Sequence, residues 1–358
     1  MKAISFYFFC SLVLLLGCKP EQTAVSVMAP VESEGKVGYI DTLGQWVIQP
    51  QFPLLSRFSE GLAPMSEGSR WGFINAKGEW AIAPVYDKIH EFSEGRAGVQ
   101  LNSQWGFVNP EGELVIPCSY RSFRPFSEGK AAVVMDGKWG WIDIEGKIIA
   151  QPLYSAALTF GEGLIAVRSQ PEEGSHPLWG FANESGKWVI QPRYLAIPSE
   201  RFRKGMCLVV DSTGHYYINM SGQNALGKTF VNAMPFYSDC AAVVGKRFDN
   251  QNAWGLIDRN GETLIPYNFE VVNPQGLNNS GRVVVRDGRQ FGFANRKGKV
   301  VIPYQFDGVM PFSLNRAAIF TNGKFGYINN RGEFVIKPQF SKALPFQDVT
   351  ANMFQNID

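Results

Sequence analysis

Four glutamates, Glu60, Glu94, Glu128 and Glu162, stand 34 residues apart, three within Phe-Ser-Glu-Gly and the last within Phe-Gly-Glu-Gly. Carboxylates repeated at one place in successive segments are oxygen donors of the kind a hard cation such as Ca²⁺ takes. Each segment brings only one of them, with no other acidic ligand nearby. The other chemistry open to such a residue is to accept hydrogen bonds from backbone N–H groups of a turn, or to pair with nearby Lys and Arg. That is the role expected here.

The remaining reactive side chains do not assemble into a site. His90, His176 and His215 fall at three different places in three different segments, which suggests no shared metal or acid–base centre. No nucleophile elbow, phosphate loop, HExxH or CxxC pattern occurs. The chain is therefore expected to be non-enzymatic, with no cofactor and no metal. Beyond the first twenty residues stand Cys118, Cys207 and Cys240, an odd count that argues against a disulfide scaffold. Cys207 and Cys240 lie in neighbouring strands offset by one place, so their side chains point to opposite faces and a bridge is not expected. Cys118 replaces a proline and reads as a small buried apolar residue.

The elements that position these residues recur. An Asp/Asn-x-x-Gly turn occurs nine times, from Asp41 to Gly44 through Asn329 to Gly332, with an aromatic eight residues after every glycine. The spacing is 34 residues at both ends and longer between, so each unit spans 34–40 residues. In such a turn the Asp or Asn side chain bonds the backbone two residues on, and glycine takes the left-handed conformation. The flanking runs are short and β-branched or aromatic, as strands are. In the fourth unit, strand A (Ala131–Met135), a tight Asp136-Gly137 turn, strand B (Trp139–Ile142) and strand C after Gly146 form a three-stranded antiparallel meander. Proline is read as the end of strand C, as at Pro50, Pro84, Pro152, Pro192 and Pro338. The fold class is all-β, with nine such meanders stacked as blades in an open superhelix or solenoid, or a propeller-like ring. Nine is large for a ring, so an open or incompletely closed array is favoured. An A-like strand before the first hairpin (Val27–Val31) and another at Thr350–Phe354 leave one strand spare, to cap an open end or to clasp the first blade.

The unit G-K-W-G-F-I-D-x-x-G-x-x-V-I-x-P-x-Y, followed by F-S-E-G-x-A-x-V, resembles the bacterial WG (KWG) repeat. Trp-Gly stands at Trp71, Trp105, Trp139, Trp179 and Trp254 and softens to Val37, Phe291 and Phe325. The resemblance covers residues from about 27 to 354 and implies architecture, since that family shares no common catalytic activity. The glycine after Trp, lacking a Cβ, is read as the seam where the next unit approaches. The sixth unit departs: Tyr216 replaces that glycine and Ala225-Leu226-Gly227-Lys228 replaces Val-Ile-x-Pro. An irregularity or bend is expected over 196–230.

The N-terminus carries a second resemblance. Lys2, the apolar run 3–16 and Leu15-Leu16-Gly17-Cys18 resemble a bacterial lipoprotein signal, the run being too short to span a bilayer. The resemblance implies a leader over 1–17, a lipid on Cys18 with a tether over 18–26, and the repeat array over 27–358. Lys19 in place of Asp favours export to the outer membrane, the face undetermined. Net charge is +2 with no basic stripe, so nucleic acid is not an expected partner. Most of the 48 aromatics share strands with Val and Ile and are read as core.

Binding residues are sought where units differ. Two insertions lengthen the A–B turn, 169–177 and 246–253, two units apart on one rim. They supply the candidates Glu172, Glu173, His176, Arg247, Asp249 and Asn250. The expected function is a lipid-anchored cell-envelope protein with a non-catalytic binding or scaffolding surface. Its partners would be the membrane, through the lipid, and an envelope protein or glycan. The alternatives are a glycan or cell-wall-binding module using rim aromatics such as Trp46 and Trp80, and an envelope hydrolase.

Overall fold

The computed structural model describes residues 26–170, 176–275 and 277–350. The leader, Cys18 and all but the first residue of the strand expected at Thr350–Phe354 lie outside them. The described residues form nine antiparallel sheets, one per unit. In the fourth, Lys130–Met135, Lys138–Asp143 and Ile148–Tyr154 are strands A, B and C, in that order across the sheet. Asp136 and Gly137 both have positive φ, 49° and 78°, as a two-residue hairpin turn with the twist of its strands requires. Asp143 accepts from the amides of Glu145 and Lys147 at 3.0 and 2.8 Å, closing the B–C turn.

The glycine after Trp serves a different purpose from the expected seam. Between the pairs Trp139–Tyr154 and Trp141–Ala150, strand B advances two residues while strand C advances four, so strand C bulges. The bulged backbone folds over Gly140, where a Cβ would lie 2.5 Å from the Ala150 carbonyl oxygen. The same contact, 2.4–2.7 Å, recurs at Gly38, Gly72, Gly106, Gly180, Gly255, Gly292 and Gly326, always with strand C of its own unit. The prolines therefore sit inside strand C, as Pro152 does within Ile148–Tyr154. A bulge tolerates them because its residues owe no N–H to the ladder.

The seam between units is made by the turn glycine instead. Gly112 faces the Ile82 side chain and Gly146 faces Ile116, each on strand C of the preceding unit. A second contact joins units through the chain after strand C. Lys88–Ile89 pairs with the next unit's strand A at Gln100 and Val99, and Gly308–Val309 does likewise with Phe320 and Ile319. Each such sheet thus begins with a short strand lent by its predecessor.

Both contacts recur between the last unit and the first, so the array closes into a ring. Gly44 of the first unit faces Ile336 of the ninth. Lys342 and Ala343 pair with Glu32 and Val31, and Gln347 and Asp348 pair with Met28 and Val27. The favoured open array is thereby corrected: the tail clasps the first blade. It is a ring of separate sheets, not a closed barrel. Between sheets, the aromatic on strand B meets the Phe of the segment that follows strand C. Phe73–Phe92, Phe107–Phe126, Phe293–Phe312 and Tyr327–Phe346 have ring centroids 4.8–4.9 Å apart. Tilted and edge-on pairs of this kind contribute about 0.5–1.5 kcal/mol each beyond their burial. Strand A is buried along its length, as at Ala131, Ala132, Val133 and Val134. Cys207 and Cys240 are buried, unbridged thiols in separate core clusters, while Cys118 is only half-buried.

Candidate functional site

The glutamates form a ladder along one side of the ring. Ser59, Glu60, Gly61 and Leu62 make a tight turn ahead of strand A, with Glu60 and Gly61 at φ 55° and 85°. Glu60 Oε1 and Oε2 accept from the amides of Glu94 and Gly95 in the next turn at 2.8 and 2.9 Å. Glu94 does the same for Glu128 and Gly129 at 2.8 and 2.7 Å, and Glu128 for Glu162 and Gly163 at 2.5 and 2.9 Å. Glu162 reaches only the Gly205 amide. Beside the carboxylates, Ser59, Ser93, Ser127 and Ser313 each donate to the carbonyl of the next Phe, Phe92, Phe126, Phe160 and Phe346. At the closure the Val349 carbonyl takes the place of a carboxylate and accepts from Gly61 N at 2.9 Å.

A carboxylate reaches a neighbouring turn only where neighbouring units are close, so these turns lie on the axial side. Strand C, whose Ile148 and Leu153 are exposed, lies at the periphery. Of the two roles weighed for the glutamates, accepting backbone N–H is the one seen, with the amides belonging to the next unit. Among the described residues no group of three or more His, Cys, Asp or Glu is placed to hold a metal. Replacing Glu94 by Ala removes two charge-assisted bonds and leaves two amides to water. Because Glu94 is half-buried but the Glu128 and Gly129 amides it serves are exposed, the expected loss is about 1 kcal/mol in urea unfolding, with Glu94→Gln losing less.

The candidate rim divides. Glu172 and Glu173 lie outside the described residues, and His176 is exposed at the end of its insertion. In the other insertion Arg247 Nε donates to both Asp249 oxygens at 3.0 Å. Arg247 holds the Asp249 carboxyl down to about 2, although the pair is exposed to water. Asn250, at φ 64°, receives Lys246 Nζ on its carbonyl at 3.2 Å. The polar side chains chosen from the sequence thus brace the loop. What they present is Phe248, 92% exposed at the tip. The signal is legible as the one aromatic residue in KRFDNQNA. Of the rim aromatics, Trp80 is exposed, but Trp46 is half-buried, edge-on to Phe340 of the ninth unit at 6.0 Å.

The sixth unit is the irregular one, as read from its sequence. It keeps only Cys207–Asp211 and Gly214–Ile218 as a two-stranded sheet. Tyr216 carries a Cβ where the bulge would fold, and its hydroxyl turns aside to donate to Asp211 Oδ2 at 2.6 Å. Only isolated bridges, His215–Phe230 and Ile218–Asn224, remain of strand C.

Nine small antiparallel sheets closed around an axis, with a carboxylate–amide ladder inside and variable turns outside, define a propeller-like repeat ring. The chain belongs to the family of the WG containing repeat, whose model matches residues 38–71, 71–105, 105–139, 139–169, 179–211, 254–286, 291–325 and 325–348. The gap between 211 and 254 holds the B strand of the sixth unit and the Phe248 loop. No curated protein matches the chain. Among solved structures it is similar to a crystal structure of the eukaryotic initiation factor, at 12% identity and TM-score 0.63. That match covers 89% of this chain and 97% of the other, and it extends to the fold alone. A structure of KlHsv2 with loop 6CD replaced by a Gly-Ser linker covers 81% of this chain and 97% of its own, at 9% identity and TM-score 0.37, too low to support any comparison.

Proposed function

We propose that this protein is a lipid-anchored envelope protein that binds or scaffolds a partner without catalysing a reaction. The observation that carries the reading is the division of labour in the ring. The repeated polar side chains are consumed in joining unit to unit, while the large apolar Phe248 is held out to water by a braced loop. Its ring contact is the Arg247 guanidinium, 5.6 Å from the centroid, so it adds little to the fold and suits a partner's pocket. Lipid on Cys18 would hold the ring at a membrane, since each buried methylene contributes about 0.8 kcal/mol.

Two measurements test this. Cys18→Ala should move the protein from the membrane to the soluble fraction, and unchanged fractionation refutes the anchor. Phe248→Ser should leave the melting temperature unaltered and lower recovery of an envelope partner roughly tenfold, the share of an interface anchor worth about 1.4 kcal/mol. Turnover of a substrate by the purified protein, with no partner recovered, would sink the binding reading.

A further inference from the structure

One inter-unit segment lacks an amide that recurs as a donor around the ring. After strand C, the first amide of the linking segment normally bonds the next strand A: Asp87 N to Gln100 O, Ser155 N to Arg168 O, Leu195 N to Val210 O, Asp307 N to Phe320 O, and Ser341 N to Glu32 O. In the first unit that position is Pro53, which has no N–H to give. Residues 53–57 form no strand, and the sheet of the second unit has three strands with no lent one, as do those of the fourth and seventh.

A cavity of about 380 Å³ opens there, lined by Leu54 to Arg57, Pro64, Trp71, Ile89 to Glu91 and Leu344. Its wall is drawn from the inner segments of the ninth, first and second units, beside the closure of the ring. The volume is in the range of small-molecule sites, which combine apolar walls with a few polar groups. Here the apolar part is Leu54, Leu55, Leu344 and the half-buried Trp71.

The polar part is Arg57. Its guanidinium has no hydrogen-bond or ion-pair partner among the described residues, and it is not sealed from solvent. Burial pushes its pKa down, and no neighbouring charge opposes the shift. Glu91 is the one carboxylate in the wall, and it faces His90 Nδ1 at 3.1 Å. Folding has therefore placed a partly desolvated cation in a cavity that Trp71 also lines, and left its five donors without a protein acceptor. A guanidinium fork matches the two oxygens of a carboxylate.

We propose that this cavity is a binding site for a small organic carboxylate, its anionic end held by Arg57 and its apolar body against Trp71, Leu54 and Leu344. The proposal does not rest on the envelope reading, because it concerns the ring itself.

Calorimetric titration of the detergent-solubilised full chain with phenylacetate and 2-naphthoate tests it, with phenylacetamide and inorganic phosphate as comparisons. Both carboxylates should bind at one site per chain, at least tenfold tighter than the amide, with phosphate weaker than either. Arg57→Gln should weaken carboxylate binding about tenfold or more without lowering the melting temperature, since it removes a partly desolvated charge that has no protein partner. Arg57→Lys should recover only part of the loss. Binding of the amide as tightly as the acid overturns the proposal, as does unchanged binding in Arg57→Gln. Phosphate binding as well as the carboxylates would also overturn it, leaving a general anion site.

Discussion

Gly106→Ala should destabilise the protein by roughly 3 kcal/mol or more, although it adds a single methyl group. The new Cβ would stand 2.4 Å from the Ile116 carbonyl oxygen and 2.7 Å from Cys118 N, both backbone atoms of the bulged strand C. A side chain could rotate away, but here the strand itself must shift. That disturbs the pairs Phe107–Ile116 and Trp105–Tyr120. Losses of this size come from strain and overpacking in cores. The sixth unit is in keeping with this: where Tyr216 takes the glycine's place and Ala225-Leu226-Gly227-Lys228 that of Val-Ile-x-Pro, strand C is reduced to isolated bridges. Gly137→Asn is the contrasting substitution. That turn glycine has φ 78° and open space around it, and Asn tolerates the left-handed region, so the cost should stay below about 1 kcal/mol. Urea unfolding of both variants checks the prediction. Equal stability of Gly106→Ala and wild type would refute the bulge as the reason for the glycine.

Ending the chain at Phe340 should be more damaging still, at roughly 5 kcal/mol or more. The cut removes the pairing of Lys342–Ala343 and Gln347–Asp348 with the first strand, Val27–Ser33. It also removes the buried side chains of Ala343, Phe346 and Val349, which are 1–3% exposed. Truncating a buried Phe alone costs about 3–5 kcal/mol. Beyond the total, the distribution should change. An open array unfolds from its ends, whereas a ring has none. Hydrogen exchange at Val31, Glu32 and Val37 should therefore accelerate far more than exchange at Ala166 or Val167, in the fifth unit. Uniform acceleration around the ring would contradict closure as the source of the stability.

Much of the fold was legible in the sequence because the bonds that make a unit are short in sequence. Asp143 bonds residues two and four places away, and Asp136-Gly137 closes its hairpin with its own dihedral angles. The aromatics reported a core because they share strands with Val and Ile. Other features were visible but misread. The glycine after Trp marks a close approach, yet the partner is the strand C ten residues on, because a bulge leaves no mark in an apolar pattern. The glutamates were identified as turn residues, but the amides they serve lie 34 residues away. In the Phe248 loop Arg247 and Asp249 satisfy each other, so the charges in the sequence point away from the residue the loop presents.

The sequence by itself determined the unit, its three strands, its turns and its ninefold recurrence, since each follows from contacts within a few residues. Tertiary structure alone decided that the array closes. Ring or superhelix depends on a small rotation between adjacent sheets, set by how Ile side chains seat against turn glycines and how each carboxylate spans to the next turn. No one unit encodes that rotation visibly, and nine copies of it bring Ser341 to within 3.0 Å of Glu32, 309 residues earlier. The same accumulation put Pro53, an unremarkable loop residue in the sequence, on an inner segment beside the closure of the ring, where a cavity lies.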